Sequence, residues 1–291
     1  MDSSPFRNRL LLVATAVLFS TGGAAIKAAP LAPWQIVCLR SAVAAAFLLL
    51  ALPESRRGWN WRLALVAAPY ATTVILFVLA TRLTTAANAI YLQSTAPLYL
   101  LLLGPLVLRE PIRRSDILYI LAVAAGMALF ALSSEQAQAT APSPHAGNLC
   151  AVASGLTWAL TLAGLRWVSR RQKGNPGIAA VAAGNLTAAV VALPMAIPFA
   201  GAHWNAAPAV VYLGVVQIGV AYVFLTRAVR HVPAFEATTV LLLEPALNPV
   251  WVWMAYGERP GTWSLAGGGV ILSATLVNAW FQQKRAPAAA A

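Results

Sequence analysis

Apolar residues run along this chain in long blocks separated by short polar breaks. Ten blocks stand out, at roughly 10–28, 33–52, 63–80, 86–107, 115–132, 147–168, 177–199, 207–227, 234–255 and 263–281. A bilayer core of about 30 Å needs roughly 20 apolar residues per helical span, so each block has the length of a crossing. The pattern predicts an all-α integral membrane protein of ten transmembrane helices. The longest break, about 133–146, holds Ser133, Ser134, Glu135, Gln136, Pro142 and Pro144 and reads as a linker. It divides the chain into a first five-helix unit at 1–135, a linker at 136–146 and a second five-helix unit at 147–285. Residues 286–291 are low in complexity and read as a disordered tail. Arg7 and Arg9 precede the apolar run Leu10 to Phe19, which a cleaved signal peptide would also show. A retained first helix is the expectation, because without it the span count becomes odd.

The two units resemble each other. Pro97 and Pro245 lie 148 residues apart, and Glu110 and Glu258, Arg82 and Arg230, Ala86 and Ala234, and Ala89 and Ala237 share that offset. Five spans per unit force the units to enter the membrane with opposite polarity. The expectation is therefore an inverted-topology repeat, an arrangement common in secondary transporters.

Charge sets the orientation. With a cytoplasmic N-terminus, the inner side collects Arg7, Arg9, Arg56, Arg57, Arg62, Arg109, Arg113, Arg114, Arg166, Arg170, Arg171, Lys173, Arg227, Arg230, Lys284 and Arg285. The outer side holds Lys27, Arg82 and Arg259, and Arg40 falls inside a span. This asymmetry follows the positive-inside rule and places both termini in the cytoplasm. It also disposes of nucleic acid as a partner for the net charge of +12, since the basic residues sit between apolar blocks. Only 10% of residues are charged and 60% are hydrophobic, against about 25% charged in soluble domains.

Chemistry-bearing motifs are sparse. No HExxH, GxSxG or phosphate-binding GxxxxGK[ST] occurs, so neither catalytic residues nor a metal, a cofactor or direct ATP use is expected. Cys38 and Cys150 fall in predicted spans and read as small buried hydrophobes. Helical projection does give polar and aromatic stripes. They comprise Asn88, Tyr91, Thr95 and Tyr99 in the fourth span and Tyr70, Thr73, Phe77 and Thr81 in the third. Ser154, Thr157, Trp158 and Thr161 form one in the sixth, and Glu244, Asn248 and Trp251 one in the ninth; Gln217 stands alone in the eighth. Lipid tails offer such groups no partners, so these faces should point inward. They serve either as hydrogen-bonding glue between helices or as the lining of a solute cavity.

Glu244 has two readings. A carboxylate at mid-span is expensive, so it meets a solute amine or a coupled proton, or it bonds backbone freed by Pro245. Glu236 is expected to cap its helix or pair with Arg230. Arg40 and Lys27 sit near the outer ends of their spans and are expected to snorkel, with carboxylate binding the alternative for Arg40. Ala122, Gly126, Gly269 and Ser273 are spaced for close helix contact in the fifth and tenth spans, which are placed outside the cavity. The expected state is a monomer or weak dimer.

The segments Phe77 to Leu129 and Tyr222 to Val277 share a short basic turn, a mid-span proline, a closing acidic loop residue and a Gly- or Ala-rich last helix. With the Glu244–Pro245 pair and the helix Gly147 to Trp167, they resemble the EamA-type members of the drug/metabolite transporter superfamily. The resemblance covers nearly the whole chain. It implies a secondary transporter of the bacterial inner membrane, working by alternating access between its repeats. The chain looks most like exporters of aromatic and other neutral amino acids, with a drug, metabolite or nucleoside exporter of the same fold as the alternative. The further readings are a membrane enzyme, which would need catalytic side chains the sequence does not offer, and a non-transporting scaffold, which would lack a polar cavity. On that reading Phe77, Tyr91, Tyr99 and Trp158 form an aromatic wall. Thr95, Thr161, Gln217, Asn248 and Glu244 meet the polar groups of the solute, and Pro97 and Pro245 act as hinges.

Overall fold

A computed structural model describes residues 5–103, 114–132, 137–169, 176–199, 204–228, 232, 237 and 240–285. Glu110, Arg230, Glu236 and the tail lie outside them. Among the described residues the chain is helical, and no strand forms. Seven helical stretches are long and apolar enough to cross a membrane: Phe6–Ala28, Pro33–Ala51, Trp61–Leu83, Pro144–Leu165, Pro176–Ala196, Trp204–Ala228 and Thr262–Phe281. Shorter helices occupy the other three apolar blocks. Many large apolar side chains face outward, among them Leu118, Leu149, Val190 and Met254. In water such a surface would aggregate; lipid tails solvate it.

The elements are α1 (Pro5–Ser20), α2 (Gly22–Ala28), α3 (Pro33–Ala51), α4 (Trp61–Leu83), α5 (Ala86–Gln93), α6 (Ala96–Leu103) and α7 (Arg114–Leu132). They continue as α8 (Pro144–Ser169), α9 (Pro176–Ala196), α10 (Ala207–Val211), α11 (Ala221–Ala228), α12 (Leu243–Tyr256) and α13 (Thr262–Arg285). A π-helical segment, Tyr212–Val220, joins α10 to α11. Such wide turns are rare and cluster at functional sites. At the centre, α3 packs against α9 and the π segment, while α4 packs against α8 and α9. The helices α1, α11 and α12 close one side.

Three apolar blocks are not continuous helices. The first breaks at Thr21, the fourth at Ser94 and Thr95, and the ninth at Leu242. Ser94 and Leu242 are 148 residues apart, the spacing of the repeated sequence pairs. The mid-span prolines Pro97 and Pro245 therefore do not lie inside continuous helices. Each proline sits in the first turn of the half-helix that follows a break. There its missing N–H has no intrahelical partner to lose. The break at Thr21 has its own support. The Thr21 hydroxyl lies 2.8 Å from the Tyr212 hydroxyl, and Trp251 Nε1 donates to Ser20 Oγ at 2.8 Å.

The last helices of the two units pack on each other through their backbones. A Cβ on Gly267 would lie 2.6 Å from the Gly126 carbonyl oxygen, and one on Gly126 would lie 3.0 Å from that of Gly267. Gly267 thus takes the role expected of Gly269, beside which nothing lies within 4 Å. The close helix contact expected of the fifth and tenth spans is present, and they make it with each other through Gly126 and Gly267.

Charged groups at one end of the bundle meet in a buried clasp. Lys27 Nζ lies 2.7 Å from Glu258 Oε2, with side chains 4% and 2% exposed. Glu258 Oε1 accepts the Ala86 backbone N–H at 2.7 Å, at the start of α5. Lys27 also donates to the carbonyls of Thr84 and Thr140, and Arg82 donates to that of Leu31 at 3.3 Å. Lys27 therefore does not snorkel. Its four-carbon stem is short enough to turn inward onto a carboxylate.

Candidate functional site

A cavity of about 110 Å³ lies among helices of both halves of the chain. The first half supplies Phe19, Arg40, Gln93 and a face of α4 made by Tyr70, Thr73, Val74 and Phe77. The second half supplies Trp158, Gln217, Ile218, Tyr222 and Glu244. The α4 residues recur at three, four and seven positions, the spacing of a single helical stripe.

Local sequence explains how these side chains arrive. Gly184 on α9 leaves room for the Tyr70 ring: a Cβ there would lie 2.3 Å from Tyr70 Cδ1. The next residue, Asn185, donates from Nδ2 to the Tyr70 hydroxyl at 3.0 Å. Tyr222 stacks edge-on with Phe19, at 5.1 Å between centroids, and with Tyr70 at 6.0 Å. The result is an aromatic wall of Phe19, Tyr222 and Tyr70, with Phe77 and Trp158 also facing the cavity. Gly184→Ala is expected to displace Tyr70 and lower stability by about 1–3 kcal/mol, the usual cost of overpacking. Thermal unfolding of the purified variant measures this, and an unchanged melting temperature would refute it.

Arg40 is the lining residue whose burial the sequence conceals. It is 4% exposed, and its Nε and Nη1 have no hydrogen-bond partner. It does not snorkel. A Cβ on Gly214 would lie 2.8 Å from the Arg40 carbonyl oxygen, so the π segment packs directly against the α3 backbone at this residue. Glu244 stands in the first turn of α12, just past the break at Leu242, and not at mid-helix. The N-terminal end of a helix favours a negative group.

Several polar residues turn out to join helices. Gln93 Nε2 donates to Ser154 Oγ at 2.6 Å, and the Thr73 hydroxyl donates to Thr157 Oγ1 at 2.8 Å. Asn88 and Thr84 share the Asn148 side-chain oxygen, at 3.2 and 2.8 Å. Thr161 is fully buried and bonds back to the Thr157 carbonyl. Thr95 bonds to the Leu92 carbonyl and packs against Gly155.

Of the nine residues expected to contact a solute, Phe77, Trp158, Gln217 and Glu244 line the cavity. Tyr91, Thr95, Tyr99, Thr161 and Asn248 do not. The Tyr91 ring lies over Gly268 and 6.5 Å from the ring of Phe130, facing the last helices of the two units. Tyr99 is half-buried on α6. Asn248 is buried against Gly23, with both amide atoms unpartnered. Among the described residues, no three His, Cys, Asp or Glu side chains gather as a metal site would require.

Comparison with known proteins follows the same lines. No curated protein matches the chain. A solved structure described as "Crystal structure of protein" is 19% identical, with a TM-score of 0.62, over 96% of this chain and 98% of that one. At that identity the likeness concerns the fold. The EamA-like transporter family matches twice, at residues 8–132 and 145–280, one match for each half of the cavity wall. The chain belongs to the EamA-like transporter family.

Proposed function

We propose that the protein is a secondary transporter that exports aromatic and other neutral amino acids by alternating access between two inverted five-helix repeats. Membership of a transporter family supplies movement of small solutes across a membrane. One observation carries the mechanism: the cavity draws its wall from both family-matching halves, and the fourth and ninth spans break at equivalent positions beside it. Broken helices in corresponding places of two repeats are where transporters of this kind hold their solutes. On this reading the seven long helices, α7 and the two broken spans make ten crossings. A cavity of about 110 Å³ is smaller than the roughly 300–1,000 Å³ of most small-molecule sites, so loading requires the halves to move apart. The aromatic wall suits an apolar side chain, and the charged and amide groups suit its polar end.

The reading is tested by counterflow in liposomes loaded in turn with Phe, Trp, Leu, Met, Thr and Glu. Exchange of Phe, Trp, Leu and Met above Thr, with Glu excluded, is expected. Exchange of Glu, a nucleoside or a cationic dye ahead of every neutral amino acid would overturn the substrate.

Topology has a separate check. The proposed orientation puts both termini in the cytoplasm of a bacterium, within its inner membrane. In a background lacking Cys38 and Cys150, a cysteine at exposed Ser143 should label from outside with an impermeant thiol reagent. One at exposed Glu54 should label only after permeabilisation. The reverse pattern would invert the assignment.

A further inference from the structure

We propose that Arg40 is the carboxylate site of this cavity: its guanidinium holds the α-carboxylate of the solute while Glu244 faces the α-ammonium. The proposal rests on the amino acid reading above and adds which pole of the solute meets which residue. Arg40 is nine-tenths buried and more, lines the cavity, and has Nε and Nη1 without an acceptor. Glu244 lines the same cavity, yet it does not satisfy those two donors. A guanidinium carries five N–H donors and keeps its charge in proteins. Buried with no carboxylate on those two donors it is costly, so the site is electrostatically incomplete on this side.

The shape of the missing group follows from the donor. Guanidinium presents a planar fork that matches the two oxygens of a carboxylate. Besides Glu244, the polar groups that share the cavity with Arg40 are neutral, among them the hydroxyls of Tyr70 and Tyr222 and the Gln217 amide on the π segment. A buried cation also rejects cationic solutes, and the Glu244 carboxylate rejects a second acid. A molecule carrying both charges, with an apolar side chain for the aromatic wall, answers each of these groups. A chloride ion is the other source of negative charge that Arg40 would accept, and the test separates the two.

The experiment uses the full-length protein in liposomes and reads counterflow of labelled phenylalanine against three competitors. These are phenylalanine, phenylalaninamide, which lacks the carboxylate, and 3-phenylpropionate, which lacks the amine. Both analogues should compete at least tenfold more weakly than phenylalanine on the wild-type protein. Arg40→Gln should lower phenylalanine exchange at least tenfold and abolish the preference over the amide, while Arg40→Lys retains part of it. The wild-type comparison stands even where the Arg40→Gln variant does not fold. Phenylalaninamide competing as well as phenylalanine on the wild type would overturn the proposal and leave amino acid transport intact. Counterflow that depends on chloride over gluconate, with that dependence lost in Arg40→Lys, would assign the site to chloride and overturn it too. Failure of every neutral amino acid to exchange would instead overturn the transporter's proposed substrate, and this assignment with it.

Discussion

Lys27→Met is expected to destabilise the protein by about 3–5 kcal/mol, the range for a buried ion pair that loses one partner. The loss comes less from the missing attraction than from what stays behind. Glu258 is 2% exposed at its side chain and would keep a carboxylate out of water without its 2.7 Å ammonium partner. Its second oxygen still accepts the Ala86 N–H, which compensates only in part. Lys27→Met with Glu258→Gln should therefore recover most of the stability, because a neutral amide keeps that bond and leaves no orphaned charge. Thermal unfolding of the single and double variants in detergent measures the difference. Equal losses in both would show that the pair is not what holds α2, α5 and the α12–α13 turn together.

The spans were readable because lipid imposes a simple demand. Any residue facing hydrocarbon must be apolar, so crossings appear as apolar blocks whatever their tertiary partners. The same simplicity hides the breaks. Hydropathy runs without interruption across Ser94, Thr95 and Leu242, and the prolines just beyond them mark the first turn of a half-helix and not the break itself. Projection at a fixed angle per residue assumes a continuous helix, so it placed Asn88, Tyr91, Thr95 and Tyr99 on one face. With the helix broken between Gln93 and Ala96, the two halves turn independently. Tyr91 then faces Phe130 and Gly268, away from the cavity.

By contrast, the α4 stripe lies on an unbroken helix, and three of its four members, Tyr70, Thr73 and Phe77, line the cavity, while Thr81 is buried and bonds back to the Phe77 carbonyl. Arg40 was ambiguous for another reason. Position along a span says how far a side chain lies from water, and not which neighbour makes room for it. What closes around this residue comes from far along the chain: Gly214 lets the π segment approach α3 at the Arg40 backbone and the Val43 side chain, and Tyr70, Gln217 and Tyr222 line the same cavity. The same holds for Gly267, which displaced Gly269 from the contact because the rotation of a helix is set by what it packs on.

Glu244→Gln is expected to separate exchange from energy coupling. Glu244 is the carboxylate among the cavity-lining residues, and the charged or ionisable groups that share the cavity with it are Arg40, Tyr70 and Tyr222. An ionised carboxylate in such a place needs a positive counterpart, and two are available in turn: the solute ammonium and a proton. A site that holds one or the other, never both, links outward movement of solute to inward movement of a proton. Gln accepts a hydrogen bond from the ammonium but cannot exchange it for a proton. In liposomes, the variant should lose accumulation driven by an imposed pH gradient. Counterflow at saturating solute should persist, with its half-saturation concentration raised about tenfold for the loss of one charge-assisted contact, equivalent to about 1.4 kcal/mol. Gradient-driven accumulation equal to that of the unmodified protein would remove the proton from the mechanism. It would leave Glu244 as a binding group at the start of α12, where the helix end already favours its charge.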